Sequence, residues 1–262
     1  MKKLLSLIAV FVLNCPAFAF AQFVGSTLST PSGWELGLQT SSYHYEEPDF
    51  MHLEGDRVGA SVAYTFVTAT NWFAKGDFRY SAGKLRYEGS GVQDDVPDKL
   101  YEFRFIEGRD FFVSPRVTLS PYGGLGYRYL YNDLRGTTST GASGYRRYSA
   151  YTYLPLGLTS RFGVGARSAI TGTLEYDVFL HGKQTTYFSD AGFGDPDVSN
   201  TQTSGYGYRL GVSFEIGQFS FGPWLHYWNV DDSDVVPIGG GVGALEPANW
   251  TREAGIELKY RF

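Results

Sequence analysis

From Trp34 to the C-terminus, apolar and polar residues alternate one by one in short runs, and no long helical period interrupts them. The last run is the clearest. Ala254, Ile256, Leu258, Tyr260 and Phe262 alternate with Gly255, Glu257, Lys259 and Arg261. In a soluble sandwich the charged face of that strand would lie on the core. In a membrane barrel lipid wets the apolar face and a polar lumen accepts the charges, so the same pattern is stable there.

Ten alternating segments are predicted: Trp34–Tyr45, Gly55–Val67, Trp72–Tyr87, Leu100–Asp110, Arg116–Tyr131, Tyr148–Phe162, Ser168–Lys183, Tyr206–Ile216, Phe219–Val230 and Trp250–Phe262. In the seventh, Ile170, Leu174, Tyr176, Val178 and Leu180 read as lipid-facing, and Thr171, Thr173, Glu175, Asp177 and His181 as lumen-facing. Long connections (Glu46–Glu54, Glu88–Lys99, Asn132–Arg147, Gln184–Gly205, Asp231–Asn249) alternate with short ones (Thr68–Asn71, Phe111–Pro115, Gly163–Arg167, Gly217-Gln218). That rhythm predicts an all-β fold: a transmembrane antiparallel up-and-down β-barrel of about ten strands, with long extracellular loops and short periplasmic turns.

The N-terminus predicts the same compartment. Lys2 and Lys3 precede the apolar run Leu4–Leu13, and Ala19-Phe20-Ala21 fits a cleavage site, so residues 1–21 read as a cleaved signal peptide. Residues 22–262 then form a single barrel domain. Cys15, the only cysteine, lies before the cut, which leaves no disulfide framework.

Composition sharpens this picture. Aromatic residues make up 17 % of the chain, with 20 Tyr, 20 Phe and 33 Gly against 2 Met. Interfacial aromatic girdles and glycines in curved strands account for that bias. Tyr45, Tyr87, Tyr131 and Tyr148, near the ends of long connections, are expected in such a girdle. The net charge of -5 argues against a nucleic-acid surface.

The whole predicted barrel domain resembles the small outer-membrane barrels grouped with the OmpA/opacity type. Its ending, Ile256-Glu257-Leu258-Lys259-Tyr260-Arg261-Phe262, is similar to the C-terminal signal read by the barrel-assembly machinery, in which Tyr260 and Phe262 would be the recognised aromatics. Trp228–Asp234 with Glu246–Thr251 resembles a motif of other barrels of this size. The resemblance implies a bacterial outer-membrane address and the barrel fold; lipid and lipopolysaccharide are expected as surroundings, and a monomer is expected. The resemblance carries no activity.

The candidate chemistry lies on the lumen face. Lys75, Asp77, Arg79, Glu102, Arg104, Glu175, Asp177, Arg209, Glu215, Glu257, Lys259 and Arg261 all fall there. Opposite charges in low dielectric must pair, and a ten-strand barrel is only slightly wider than the size that side chains fill. A salt-bridged plug is therefore expected, with a narrow ion path as the alternative. Ten strands is also the size of the omptin proteases. His226 with Glu253, and His181 with Asp177, are the acid–histidine pairs able to activate water. The omptin arrangement of an aspartate pair plus Asp–His is not found at matching positions, and there is no G-x-S-x-G elbow. Acidic loop residues (Asp94 and Asp95; Asp190, Asp195 and Asp197; Asp231, Asp232 and Asp234) lack calcium-loop spacing. No metal, cofactor or nucleic acid is expected. The expected role is structural or surface interaction through the extracellular loops, before a narrow ion or small-solute pore and an omptin-like hydrolase at the outer rim.

Overall fold

The computed structural model describes residues 27–192 and 196–262; the predicted signal peptide and Asp195 lie outside the described residues. Ten strands form the wall: β1 Gly33–Glu47, β2 Met51–Val67, β3 Trp72–Glu88, β4 Val92–Arg109, β5 Val117–Thr137, β6 Ser143–Gly165, β7 Ser168–Thr186, β8 Gly205–Ile216, β9 Phe219–Val230 and β10 Asn249–Arg261. Each pairs antiparallel with the next. The sheet closes where β10 pairs with β1, from Glu46↔Trp250 to Glu35↔Arg261. Closure removes both sheet edges, so every wall strand has hydrogen-bonded neighbours on two sides.

Two aromatic rings circle the outside. At the short-turn end, Trp34 meets Tyr64 at 5.0 Å and Phe219 meets Tyr260 at 5.0 Å between ring centroids. At the other, Tyr80, Tyr101, Tyr129 and Tyr148 follow one another at 5.0, 6.2 and 5.5 Å. Trp250 continues that girdle, stacked on His44 at 4.8 Å. Trp250 and Tyr260 on β10 are about 34 Å apart along the strand, or about 25 Å along the axis at a tilt of roughly 40°. That separation equals the height of an outer-membrane apolar band, and exposed Leu36, Leu38, Phe103, Leu125, Leu174 and Ile256 fill it.

Strand ends are where sequence and structure differ. The alternating long and short rhythm places the long connections at one end, yet three of the five are pleated for most of their length. β1 and β2 turn at Pro48–Phe50, β3 and β4 at Gly89–Gly91, and β5 and β6 at Thr138–Ala142. β5 and β6 run to 21 and 23 residues, about twice what a membrane crossing needs. Hydrophobic alternation is imposed by lipid; above the band both faces lose that constraint, and the strand continues without its signature. By contrast β8, β9 and β10 have 12, 12 and 13 residues. On this lower side of the wall the genuinely irregular connections, Tyr187–Ser204 and Asp231–Ala248, supply the missing height. The first contains a short strand, Val198–Gln202, that extends pairing along β7, and the second a hairpin of Val236–Gly239 and Val242–Ala244.

The lumen is filled in two layers. In the half nearer the long connections, Tyr43, Leu53, Leu85, Leu100, Leu130, Tyr151, Tyr153, Phe179 and Trp228 point inward and form one apolar cluster. Tyr45 also belongs to it, which corrects its expected place in the outer girdle, and Tyr87 packs against it. The parity of β1 explains the correction: Trp34, Leu36 and Leu38 face lipid, so the odd-numbered Tyr43 and Tyr45 face in. Burial of each large apolar side chain in this cluster contributes about 1.5–3 kcal/mol.

Candidate functional site

The other layer of the lumen is charged. Arg209 on β8 donates Nη1 and Nη2 to Glu102 on β4 at 3.0 and 2.5 Å, and Nε to Asp177 on β7 at 2.8 Å. Tyr153 closes this group, donating its hydroxyl to Glu102 at 2.8 Å while accepting from Arg209 at 2.8 Å. Arg104 donates to Asp77 at 3.2 Å and to Glu175 at 2.7 Å, and the second oxygen of Glu175 accepts from Tyr122 at 2.7 Å. Arg79 donates to Glu253 at 3.1 Å and lies 3.3 Å from Glu102. Nearer the short-turn end, Arg161 and Thr171 both donate to Glu215, at 2.9 and 2.6 Å. Arg261 donates to Glu35 at 3.2 Å, and Lys259 pairs with Glu257 at 2.7 Å. Cross-lumen pairing of this kind ties strands that are not neighbours in the wall. It stiffens the cylinder against flattening.

Several charged residues of the network escaped the sequence reading. Arg57 is fully buried, lies 3.3 Å from the ring centre of Tyr43 and pairs with Asp98. Arg128 is buried with its guanidinium 5.7 Å from the Trp228 ring. The signal was parity: Val58 and Tyr127 face lipid, so Arg57 and Arg128 must face in. At the long-connection end, Arg147 donates one nitrogen to both Glu47 and Glu246, and the Tyr45 hydroxyl donates to Glu47 at 2.7 Å. Burial pushes the Glu246 carboxyl up to about 7; Arg147 opposes that shift and Glu47 adds to it. This cluster fastens the Asp231–Ala248 connection to the barrel rim. No sequence spacing announces it, because its members come from three distant parts of the chain.

The two acid–histidine pairs are not assembled. Glu253 faces His226 across the β9–β10 register, but its oxygens accept from Ser41 and Arg79. The His226 ring lies against Trp224 at 4.5 Å, and its Nδ1 has no hydrogen-bond partner among the described residues. It sits below the apolar layer, away from the outer rim. His181 is on the outside of the wall, a correction to its expected lumen position. The pairing steps from Thr152↔His181 to Tyr153↔Phe179, so Leu180 is an extra residue on β7. One extra residue exchanges the two faces beyond it. Asp177 stays inside and His181 does not.

The acidic loop residues are tied up locally. Asp94 and Asp95 pair with Arg86 and Lys84, Asp190 with Arg146, and Asp197 accepts from the Ser189 amide. Asp231, Asp232 and Asp234 accept from Ser204, Ala248 and Thr201. They hold the two irregular connections in shape. No group of three metal-ligating side chains forms among the described residues.

A cavity of about 280 Å³ lies in the charged half, reaching from Arg209 and His226 down to Arg261 and Gly33. Its lower end is crossed by the chain before β1. Thr27 donates to the Ala166 carbonyl, Ser29 accepts from Arg161 at 2.7 Å, and Thr30 donates twice to Asp110, at 2.6 and 2.7 Å. In a ten-strand cylinder β6 stands opposite β1, so this strap spans the mouth.

No protein-family model and no curated protein sequence matches the chain. Among solved structures, the outer membrane protease OmpT from Escherichia coli is similar with a TM-score of 0.54 at 10 % identity, over 92 % of this chain and 99 % of that one. The translocator domain of the autotransporter NalP from Neisseria meningitidis has a TM-score of 0.42 at 14 % identity, covering 89 % of this chain and 90 % of that one. The attachment invasion locus protein Ail of Yersinia pestis has 0.35 at 14 %, covering 88 % and 100 %. The first likeness establishes the fold alone, an all-β ten-strand closed antiparallel barrel of the outer-membrane kind. The other two carry no argument.

Proposed function

We propose that the protein is a monomeric, non-conducting barrel of the bacterial outer membrane that acts at the cell surface through its long connections. Export by the cleaved signal and insertion by the assembly machinery through Tyr260 and Phe262 belong to the same reading. The tyrosine ring at the long-connection end would then meet the lipopolysaccharide leaflet, with the rims of β5 and β6 and the two tethered loops standing above it.

The observation that carries this reading is the apolar layer inside the lumen. Leu53, Leu100 and Tyr153 have 0 % exposure and Trp228 has 1 %. Ions moving along the axis would have to open a dry, close-packed plug above a salt-bridged one, and both resist partial rearrangement. The acid–histidine candidates offer no assembled dyad at the rim, which leaves the surface loops as the functional face. The test is uptake of a small chromogenic solute by porin-deficient cells that produce the barrel. Uptake equal to that of the parent cells, with the Asp231–Ala248 connection labelled from outside, is the expected result. Uptake that rises with barrel level would replace the surface reading by the pore reading.

A further inference from the structure

The lipid-facing row of β4 starts as aromatic and ends as charged. Tyr101, Phe103 and Phe105 are followed on the same face by Glu107 and Arg109, at the short-turn end. Parity fixes their side of the wall. Phe105 is exposed, whereas Ile106, the next residue, is buried in the lumen. Arg109 lies directly across from the interfacial Trp72 on β3, and Glu107 is two residues nearer the middle of the apolar band.

These two charges do not pair with each other. The Arg109 guanidinium lies against aromatic rings instead, 5.7 Å from the centre of Trp72 and 5.4 Å from that of Phe111. The Glu107 carboxylate meets no cation and no hydrogen-bond donor among the described residues. Its cross-strand neighbours on the outer face are Ala74 on β3 and Gly123 on β5, and Gly76 and Pro121 stand diagonally from it. None of these carries a charge or a side-chain donor, so Arg109 is the one charge beside Glu107 on this face. The wall around Glu107 is also bare. A Cβ at Gly76 would meet nothing within 4 Å, and one at Gly123 would touch only Leu156 and the Pro155 carbonyl, at 3.4 and 3.7 Å. Glu107 therefore stands in a shallow notch. An ionised carboxylate at a lipid boundary is costly unless a counter-charge meets it, and at this height that counter-charge has to come from a headgroup.

We propose that this notch binds the headgroup of one aminophospholipid, whose primary ammonium donates to Glu107 and whose phosphate accepts from Arg109. Residues two apart on a strand are about 7 Å apart. An unpaired carboxylate and an unpaired guanidinium at that spacing complement a zwitterion whose two charges are joined by a two-carbon tether. Guanidinium–phosphate pairing is a strong charge-assisted contact, and the small residues beside Glu107 let an ammonium reach its oxygens. A quaternary ammonium has no N–H to donate and is too bulky to enter as closely. The site requires only that lipid surrounds the wall, so it is independent of the surface reading and stands whether or not the barrel conducts.

The test is native mass spectrometry of the full barrel in detergent, titrated with dioctanoyl phosphatidylethanolamine, phosphatidylcholine and phosphatidylglycerol. One phosphatidylethanolamine is expected to be retained about tenfold more strongly than phosphatidylcholine, which lacks the N–H, and than phosphatidylglycerol, which lacks the ammonium. Glu107→Gln should level ethanolamine with choline, and Arg109→Gln should weaken both. Heat-modifiable gel migration identifies folded variants. If Glu107→Gln does not fold, Gly123→Leu, which fills the notch and changes no charge, is expected to remove the ethanolamine preference. Equal retention of phosphatidylethanolamine and phosphatidylcholine by the wild type overturns the proposal, as does an undiminished preference in either folded notch variant. Unchanged retention by folded Arg109→Gln would overturn the assignment of the phosphate.

Discussion

Arg209 and Glu102 stand on strands separated by three others in the wall, yet their side chains meet as a two-bond pair at 2.5 and 3.0 Å in the lumen. Both are buried. Removing one partner strands the other in low dielectric, which costs about 3–5 kcal/mol, whereas removing both costs much less. Arg209→Leu and Glu102→Leu are each expected to lower the urea midpoint of the vesicle-inserted barrel by several kcal/mol equivalent. The double variant should recover a large part of that loss. Additive losses would mean that the pair does not act as a unit.

Gly126 makes the ring of Tyr153 possible. A Cβ there would lie 2.1 Å from that ring, whose hydroxyl holds both Glu102 and Arg209. Gly126→Val must push Tyr153 out of the network, at about 1–3 kcal/mol. Gly76→Val is the control, since nothing lies within 4 Å of a Cβ at that position. Equal unfolding midpoints for the two variants would contradict the packing described.

The extra residue at Leu180 turns His181 outward while His226 stays inside. With Cys15, the only native cysteine, replaced by serine, cysteine at position 181 is expected to react with a membrane-permeable maleimide in the folded barrel. Cysteine at position 226 should react only after unfolding, and fast labelling at both positions would place His181 and His226 on one face.

Docking of the Asp231–Ala248 connection takes up a proton. Glu246 ionises near 4.5 when released and near 7 when held beside Glu47 and Arg147. A raised carboxyl favours the docked loop at low pH, so docking weakens as pH climbs from 4.5 to 7 and is level above that. Amide exchange in this connection should be slower at pH 5 than at pH 8 after correction for intrinsic rates, and Glu246→Gln should flatten the difference. Slower corrected exchange at pH 8 would reverse the sign of the argument.

How much of this was legible depended on what each face of a strand touches. Where lipid lay outside and charge inside, as along Ala254–Phe262, the alternation showed strand and face together, and the charged lumen residues followed. Where both faces were apolar the alternation vanished. Tyr127, Tyr129 and Tyr131 outside conceal Leu130 inside, and Leu100 is masked by Tyr101, so the apolar layer went unread. Where both faces met water, as in Asn132–Thr137, strand resembled loop. The misplacement of His181 has a third cause. A bulge is one residue of irregular pairing, and composition carries no mark of it.

The central claim is a closed lumen, and single-molecule conductance tests it most directly. Purified barrel is inserted into planar bilayers, with insertion verified separately by protease protection, and current is recorded beside a variant in which Trp228, Tyr151 and Leu100 are replaced by glycine. The account predicts a silent wild type and stable current steps from the variant, because the apolar layer is the seal. Stable, unitary steps from the wild type would contradict it.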